Sequence, residues 1–141
     1  MKLLEERILK DGKIKPGNVL KVDGFINHNI DVPFVYELGR EFYRRFKDDR
    51  VTKILTIEAS GIAPAVMLGF LMELPVVFAK KKQPLTMSDF YVSKVRLFTK
   101  KNDYTLIISK EYLSPNDRVL FIDDFLAFGN AAMGVIDVCR Q

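Results

Sequence analysis

The sequence holds one cysteine, Cys139, one histidine, His28, and no tryptophan. A lone cysteine forms no intrachain disulfide, and with a single histidine it builds no zinc site. No apolar run reaches the roughly 18 residues that a membrane helix needs. Near the N-terminus, Glu5, Glu6 and Arg7 stand where the apolar stretch of a signal peptide would lie. Internal repeats, low-complexity tracts and flexible linkers are also missing. These absences lead us to expect a cytoplasmic protein with no membrane segment and no protein-held metal. What is present is a globular composition: 141 residues, 48% apolar and 28% charged, with a net charge of +4. That length suits one domain over residues 1–141, able to bury roughly two-thirds of its unfolded surface.

The charge is unevenly distributed. Residues 80–101 contain Lys80, Lys81, Lys82, Lys94, Arg96, Lys100 and Lys101 against the single acid Asp89, so the remainder of the chain is slightly negative. A local basic segment in a near-neutral protein points to a polyanionic ligand, either nucleic acid or a phosphorylated small molecule, unless it is simply a solvated loop.

Leu3, Leu4 and Ile8 predict a helix over residues 2–10, closed by Asp11-Gly12. Residues 13–29 read as irregular, with a turn at Pro16-Gly17 and an extended stretch over 19–25. Asp31 is placed to cap a second helix with Pro33 in its first turn, and Phe34, Leu38, Phe42 and Phe46 give that helix an apolar stripe. Residues 54–57, 76–79 and 119–122 are short apolar runs of the kind found in parallel strands buried on both faces. Helical sequence follows the first over 64–70 and the third over 131–139. Residues 93–98 and 104–109 predict two further strands, antiparallel across a polar turn at 100–103. The architecture expected is α/β, with a mostly parallel central sheet flanked by helices. The helical pattern starting at Asn130 is still running at Arg140 and Gln141, so more chain is expected to follow it, with C-terminal strands missing here.

The stretch most informative about chemistry is Val119-Leu-Phe-Ile-Asp-Asp-Phe-Leu-Ala-Phe-Gly-Asn-Ala131. An apolar strand ends in Asp123 and Asp124, and a loop containing Gly129 leads into a helix. In open α/β sheets, ligands bind at the carboxyl ends of the strands. Backbone N–H groups at the helix start suit a phosphate, and the two acids can accept hydrogen bonds from sugar hydroxyls. The alternative is an ordinary strand–turn–helix with solvated acids.

This run resembles the phosphoribosyl diphosphate signature of the type I phosphoribosyltransferases. The segments Leu20-Lys-Val-Asp-Gly-Phe-Ile-Asn-His28, Thr56-Ile-Glu-Ala-Ser-Gly-Ile-Ala-Pro-Ala65 and Pro75-Val-Val-Phe-Ala-Lys-Lys81 are similar to those of the bacterial xanthine phosphoribosyltransferases, in register over nearly the whole chain. The resemblance implies the type I phosphoribosyltransferase fold, with residues 1–30 forming an N-terminal helix and a base-binding hood and residues 31–141 an incomplete core. It implies that Leu20 and Asn27 contact the purine, and that Asp123, Asp124, Ala127, Phe128, Gly129, Asn130 and Ala131 hold the ribose and its phosphate. It also implies that Glu58, Ala59, Ser60 and Gly61, with Lys80 and Lys81 beside them, form the pyrophosphate loop. Residues 86–103 would correspond to a loop closing over the substrates. The implied reaction converts xanthine and phosphoribosyl diphosphate to xanthosine monophosphate and diphosphate, with Mg²⁺ carried on the substrate and a homodimer as the assembly.

Two departures bear on these expectations. Phe128 stands where the family usually has asparagine, and would be strained if the loop forced it to positive φ. In the family, further strands follow the last helix and carry a lysine that recognises the base. Two other readings stay open: a phosphoribosyl-diphosphate-sensing regulator that binds nucleic acid, and an inactive fragment of the enzyme.

Overall fold

The computed structural model describes residues 1–95 and 104–141. Helix α1 (Lys2–Asp11) leads into a hairpin of β1 (Lys13–Lys15) and β2 (Val19–Lys21), and a π-helical turn spans Asp23–Asn27. Next come α2 (Val32–Phe46), β3 (Lys53–Ile57), α3 (Ile62–Met72), β4 (Val76–Ala79), β5 (Phe90–Val95), β6 (Tyr104–Ser109), β7 (Val119–Phe121) and α4 (Asn130–Cys139).

The three apolar runs form one parallel sheet in the order β4-β3-β7, with Leu55 opposite Val77 on one side and opposite Phe121 on the other. Residues 54–57 of the central strand are buried on both faces, which is why this run does not alternate. β5 and β6 pair antiparallel, as expected. Lys80 bridges Ile107 in antiparallel sense, so this arm lies along the outer side of β4. The sheet is therefore parallel at its centre with an antiparallel flank. The first strand of the arm starts earlier than predicted, at Phe90. Residues 96–98 of that prediction and the turn at 100–103 lie outside the described residues.

Asp31 caps α2 by accepting from the Phe34 N–H at 3.2 Å, and Pro33 sits in the first turn as its fixed φ favours. The stripe buries Phe34 and Leu38, while Phe42 and Phe46 stay partly exposed. One layer of core joins Leu55, Ile57, Leu106, Ile108 and Val135 between the sheet and α4. A second joins Val22, Phe25, Ile26, Phe34 and Val35 under the N-terminal hood. Each fully buried side chain of this size contributes roughly 1.5–3 kcal/mol.

The extended stretch expected over residues 19–25 stops at Lys21. Val22, Phe25 and Ile26 are all buried, a helical spacing that an alternating strand cannot satisfy. The chain turns instead, and the Asp23 carbonyl accepts from the N–H groups of His28 and Asn29. Arg7 pins this hood, pairing with Asp31 at 2.8 Å and Asp11 at 2.6 Å while lying 5.1 Å from the Phe25 ring centroid. The last helix spans Asn130–Cys139, Arg140 keeps right-handed helical angles, and the Gln141 side chain donates to the Val92 carbonyl at 2.8 Å.

Candidate active site

β3 pairs with β4 on one side, reached through α3, and with β7 on the other. The chain therefore leaves the sheet in two directions from neighbouring parallel strands, which opens a crevice at their carboxyl ends. Three sequence-predicted groups converge there: residues 58–61 after β3, Lys80 and Lys81 after β4, and residues 123–131 after β7.

The β7 ladder continues one residue past the strand, with the Ile122 N–H donating to the Leu55 carbonyl at 2.9 Å, and this anchors the acids that follow. Asp123 and Asp124 are both half-buried. The Asp124 N–H donates to Asp123 Oδ1 at 3.0 Å. Burial pushes the Asp123 carboxyl up to about 6, and a hydrogen bond with the Asp124 side chain adds to the rise. The Asp124 N–H and the Lys81 ammonium act in the opposite direction.

The loop then passes Phe125, Leu126 and Phe128, all exposed, to Gly129 at φ 76°. The left-handed position thus falls on Gly129, which tolerates it, and Phe128 carries none of the strain expected of it. Gly129 caps α4 without a side chain, which leaves first-turn N–H groups of the helix open. A cavity of about 310 Å³ lies over this loop, lined by Tyr104, Asp123, Ala127, Gly129, Asn130 and Ala131 among others. Phe128 also borders it. Backbone donors at a helix N-terminus, an adjacent acid pair and enclosed space can hold a sugar phosphate.

The second loop opens beside it. The Glu58 N–H donates to the Ala79 carbonyl at 3.1 Å, and Glu58 Oε1 accepts from the Lys81 N–H at 2.7 Å, which couples the ends of β3 and β4. The Glu58–Ala59 peptide is cis. Gly61 lies against the buried Thr56 hydroxyl, and a Cβ there would also come within 3.0 Å of Asp123 Oδ1. The two loops therefore touch at Gly61 and Asp123, and only a residue without a side chain fits between them.

The hood residues sit differently. Leu20 is half-buried against the hood core, Asn27 is exposed at the end of the π-helical turn, and neither lines the cavity. Their neighbours Val22 and Ile26 line a smaller cleft of about 100 Å³ with Pro64, Asp123 and Asp124. Sequence reasoning did not single out Val22, Ile26 or Tyr104. The burial spacing of the first two was a usable signal, whereas the place of Tyr104 depends on the pairing of β6 with the end of β4.

No family model matches the chain. It is 56% identical to a xanthine phosphoribosyltransferase of Ligilactobacillus salivarius over 140 residues, spanning 99% of this chain and 73% of that protein. It is 50% identical to the xanthine phosphoribosyltransferase of Staphylococcus aureus strain JH9, spanning 100% of this chain and 74% of that protein. Among solved structures it superposes on the adenine phosphoribosyltransferase of Rhodothermus marinus with a TM-score of 0.76, at 20% identity over 99% of this chain and 78% of that one. On the enzyme of Saccharomyces cerevisiae, solved with an imino-altritol bisphosphate and adenine, the TM-score is 0.78, at 16% identity over 99% of this chain and 81% of that one. These likenesses bear out the type I phosphoribosyltransferase fold, and the curated relatives establish that the chain belongs to the xanthine phosphoribosyltransferase family.

Proposed function

We propose that the chain transfers the phosphoribosyl group of 5-phosphoribosyl 1-diphosphate to N9 of xanthine, a purine-salvage reaction yielding xanthosine 5′-monophosphate and diphosphate. The observation that carries this reading is the meeting of the two strand-end loops at one crevice, with Asp123 between them. The relatives' names favour the same reaction, and neither the regulator nor the inactive-fragment alternative gains support from them.

The N9–C1 bond forms as the C1–O bond to diphosphate breaks, with positive charge developing on the ribose ring and the purine proton lost to solvent. The protein supplies orientation and charge rather than a nucleophile. Asp123 and Asp124 accept hydrogen bonds from the ribose hydroxyls, and the N–H groups of residues 127–131 hold the 5′-phosphate. Residues 58–61 with a lysine of the Lys80-Lys81 pair receive the diphosphate, and Leu20 and Asn27 meet the purine. An Asn carboxamide both donates and accepts, which suits the edge of an oxopurine.

Two adjacent carboxylates, with no third ligand-type side chain grouped beside them among the described residues, make a poor cage for a hard dication. This fits Mg²⁺ held chiefly by the substrate's own phosphate oxygens, where it would neutralise the departing diphosphate. We infer a cytoplasmic homodimer. Exposed Val66 and Phe70 on α3 offer apolar surface that a second copy would cover, and analytical ultracentrifugation tests this.

The decisive experiment measures diphosphate release from phosphoribosyl diphosphate with xanthine, guanine and hypoxanthine in turn. Release that depends on xanthine is expected. No release with any purine would overturn the reading.

A further inference from the structure

Lys80 and Lys81 are neighbours in sequence, but their ammonium groups go different ways. Lys80 Nζ lies 4.9 Å from the centroid of the Phe78 ring, and Lys81 Nζ lies 5.5 Å from that of Tyr104. β4 ends at Ala79 and the chain bends at Lys81, and the two ammonium groups rest against different rings. The bridge from Lys80 to Ile107 carries β6 antiparallel past the end of β4. Tyr104, three residues before Ile107, therefore stands beyond that end, at the level of the two loops. Tyr104 lines the 310 Å³ cavity together with Asp123; neither lysine lines it directly, but Lys81 rests on a ring that does, whereas the Phe78 ring under Lys80 does not.

Lys81 is fixed at two points. Its N–H donates to Glu58 Oε1 at 2.7 Å, and its ammonium rests over the Tyr104 ring. Its positive charge is also felt at Asp123. A ring face attracts an ammonium without consuming its three N–H donors, which remain free for an anion. Ordering the long lysine stem before the ligand arrives removes part of the entropy cost of binding. Burial and the neighbouring Asp123 push the Tyr104 phenol above its usual range, so the ring stays neutral and presents its face.

We propose that Tyr104 is a positioning residue that holds the Lys81 ammonium at the ribose-phosphate cavity of its own chain, so that Lys81 rather than Lys80 meets the diphosphate. This rests on the transferase reading above. It assigns a role to a residue outside the two loops and distinguishes between the two lysines.

Reductive ¹³C-methylation of the lysines, with Lys81→Arg to assign the signal, reads the contact without any ligand. The Lys81 signal should be displaced by the ring current in the unaltered protein, stay displaced in Tyr104→Phe, and return to the exposed-lysine position in Tyr104→Leu. Calorimetry with Mg²⁺ and phosphoribosyl diphosphate, and separately with inorganic diphosphate, reads the consequence. Tyr104→Leu should weaken both ligands by roughly threefold to twentyfold, and Tyr104→Phe should recover most of that loss. In a Lys81→Ala background, Tyr104→Leu should add nothing further. An undisplaced Lys81 signal in the unaltered protein, or an equal loss from Tyr104→Leu with and without Lys81, overturns the proposal. If the unaltered chain binds inorganic diphosphate in this Lys81-dependent way but not phosphoribosyl diphosphate, the held lysine stands and the transferase reading fails.

Discussion

The Asp124 backbone N–H donates to Asp123 Oδ1 at 3.0 Å, so the first acid of the pair is oriented by the backbone of the second. That bond favours ionised Asp123, yet burial and the neighbouring carboxyl outweigh it and leave the group titrating at about 6. The raised value makes a stability prediction. Between about pH 4, the ordinary aspartate range, and pH 6, the folded chain binds more protons than the unfolded one. The Asp123 contribution to stability is therefore full below that window and is lost as pH rises through it. Asp123→Asn should remove this loss. Urea midpoints of the variant and the unaltered protein, compared at pH 4 and pH 7, should show the variant gaining relative stability at the higher pH. A difference that does not change with pH would sink the assignment.

Asp124→Ala tests the ribose contact. Losing hydrogen bonds to an ionised acceptor costs roughly 1.5–3 kcal/mol each, so phosphoribosyl diphosphate binding should weaken about tenfold to a hundredfold and turnover should fall with it. Asp124 is half-buried at a strand end and engages no cation in the described residues, so the ligand-free melting temperature should move little. A variant that unfolds would make the pair a structural device.

Asn27→Ala tests the base contact. Its side chain is exposed, so removal should leave the fold intact. The Michaelis constant for xanthine should rise by the equivalent of roughly 1–3 kcal/mol, with little change for phosphoribosyl diphosphate. Equal weakening of both substrates would show that the π-helical turn shapes the whole site rather than reading the purine.

The place of the acid pair at a strand end was legible from local pattern, whereas Asn27 was singled out only by the resemblance to the family. Continuous apolar runs gave away the three parallel strands, although only the central one, at Leu55, is buried on both faces while β4 and β7 stay partly exposed, and Asp31 was recognisable as a cap from the proline two residues on. The strand-end acids followed from the strand that precedes them. What local pattern missed was non-local. The turn at residues 23–27 exists because Phe25 and Ile26 must both reach the core against α2, and Tyr104 enters the site only through the pairing of Lys80 with Ile107. The condition that would have strained Phe128 is not met, because the left-handed position in that loop is taken by the glycine that follows.

Gly61 offers a steric test of how the two loops meet. Its φ of −69° suits any residue, so an alanine there is opposed by space alone. The added Cβ would collide with Thr56 Oγ1 and press within 3.0 Å of Asp123 Oδ1. Gly61→Ala should destabilise the chain by about 1–3 kcal/mol and weaken phosphoribosyl diphosphate more than xanthine. Adding Thr56→Ala, which removes the buried hydroxyl, should return part of the lost stability in a thermal melt. No recovery in the double variant would mean that the Thr56 contact is not what excludes a side chain.

At the opposite end of the same sheet, Asp117 presents the reverse electrostatics. It accepts from Lys53 Nζ at 2.8 Å, from the Ser114 N–H at 2.8 Å and from the Thr52 hydroxyl at 3.1 Å, and so clasps the start of β3 to the approach to β7. The Lys53 bond, aided by Ser114 and Thr52, holds its carboxyl below the usual range. Its stabilisation is present above about pH 4 and is lost as pH falls through the folded value, the opposite sign to Asp123. Asp117→Ala should cost about 1–3 kcal/mol at pH 7 by leaving the Ser114 N–H without its acceptor and Lys53 with only the Tyr112 carbonyl at 2.7 Å. The deficit should shrink toward pH 3. Because the clasp lies at the amino ends of the strands, away from both loops, the Michaelis constants should stay put while the urea midpoint falls. A variant whose substrate affinities fall together with its stability would show that the two ends of the sheet are coupled through β3 and β7.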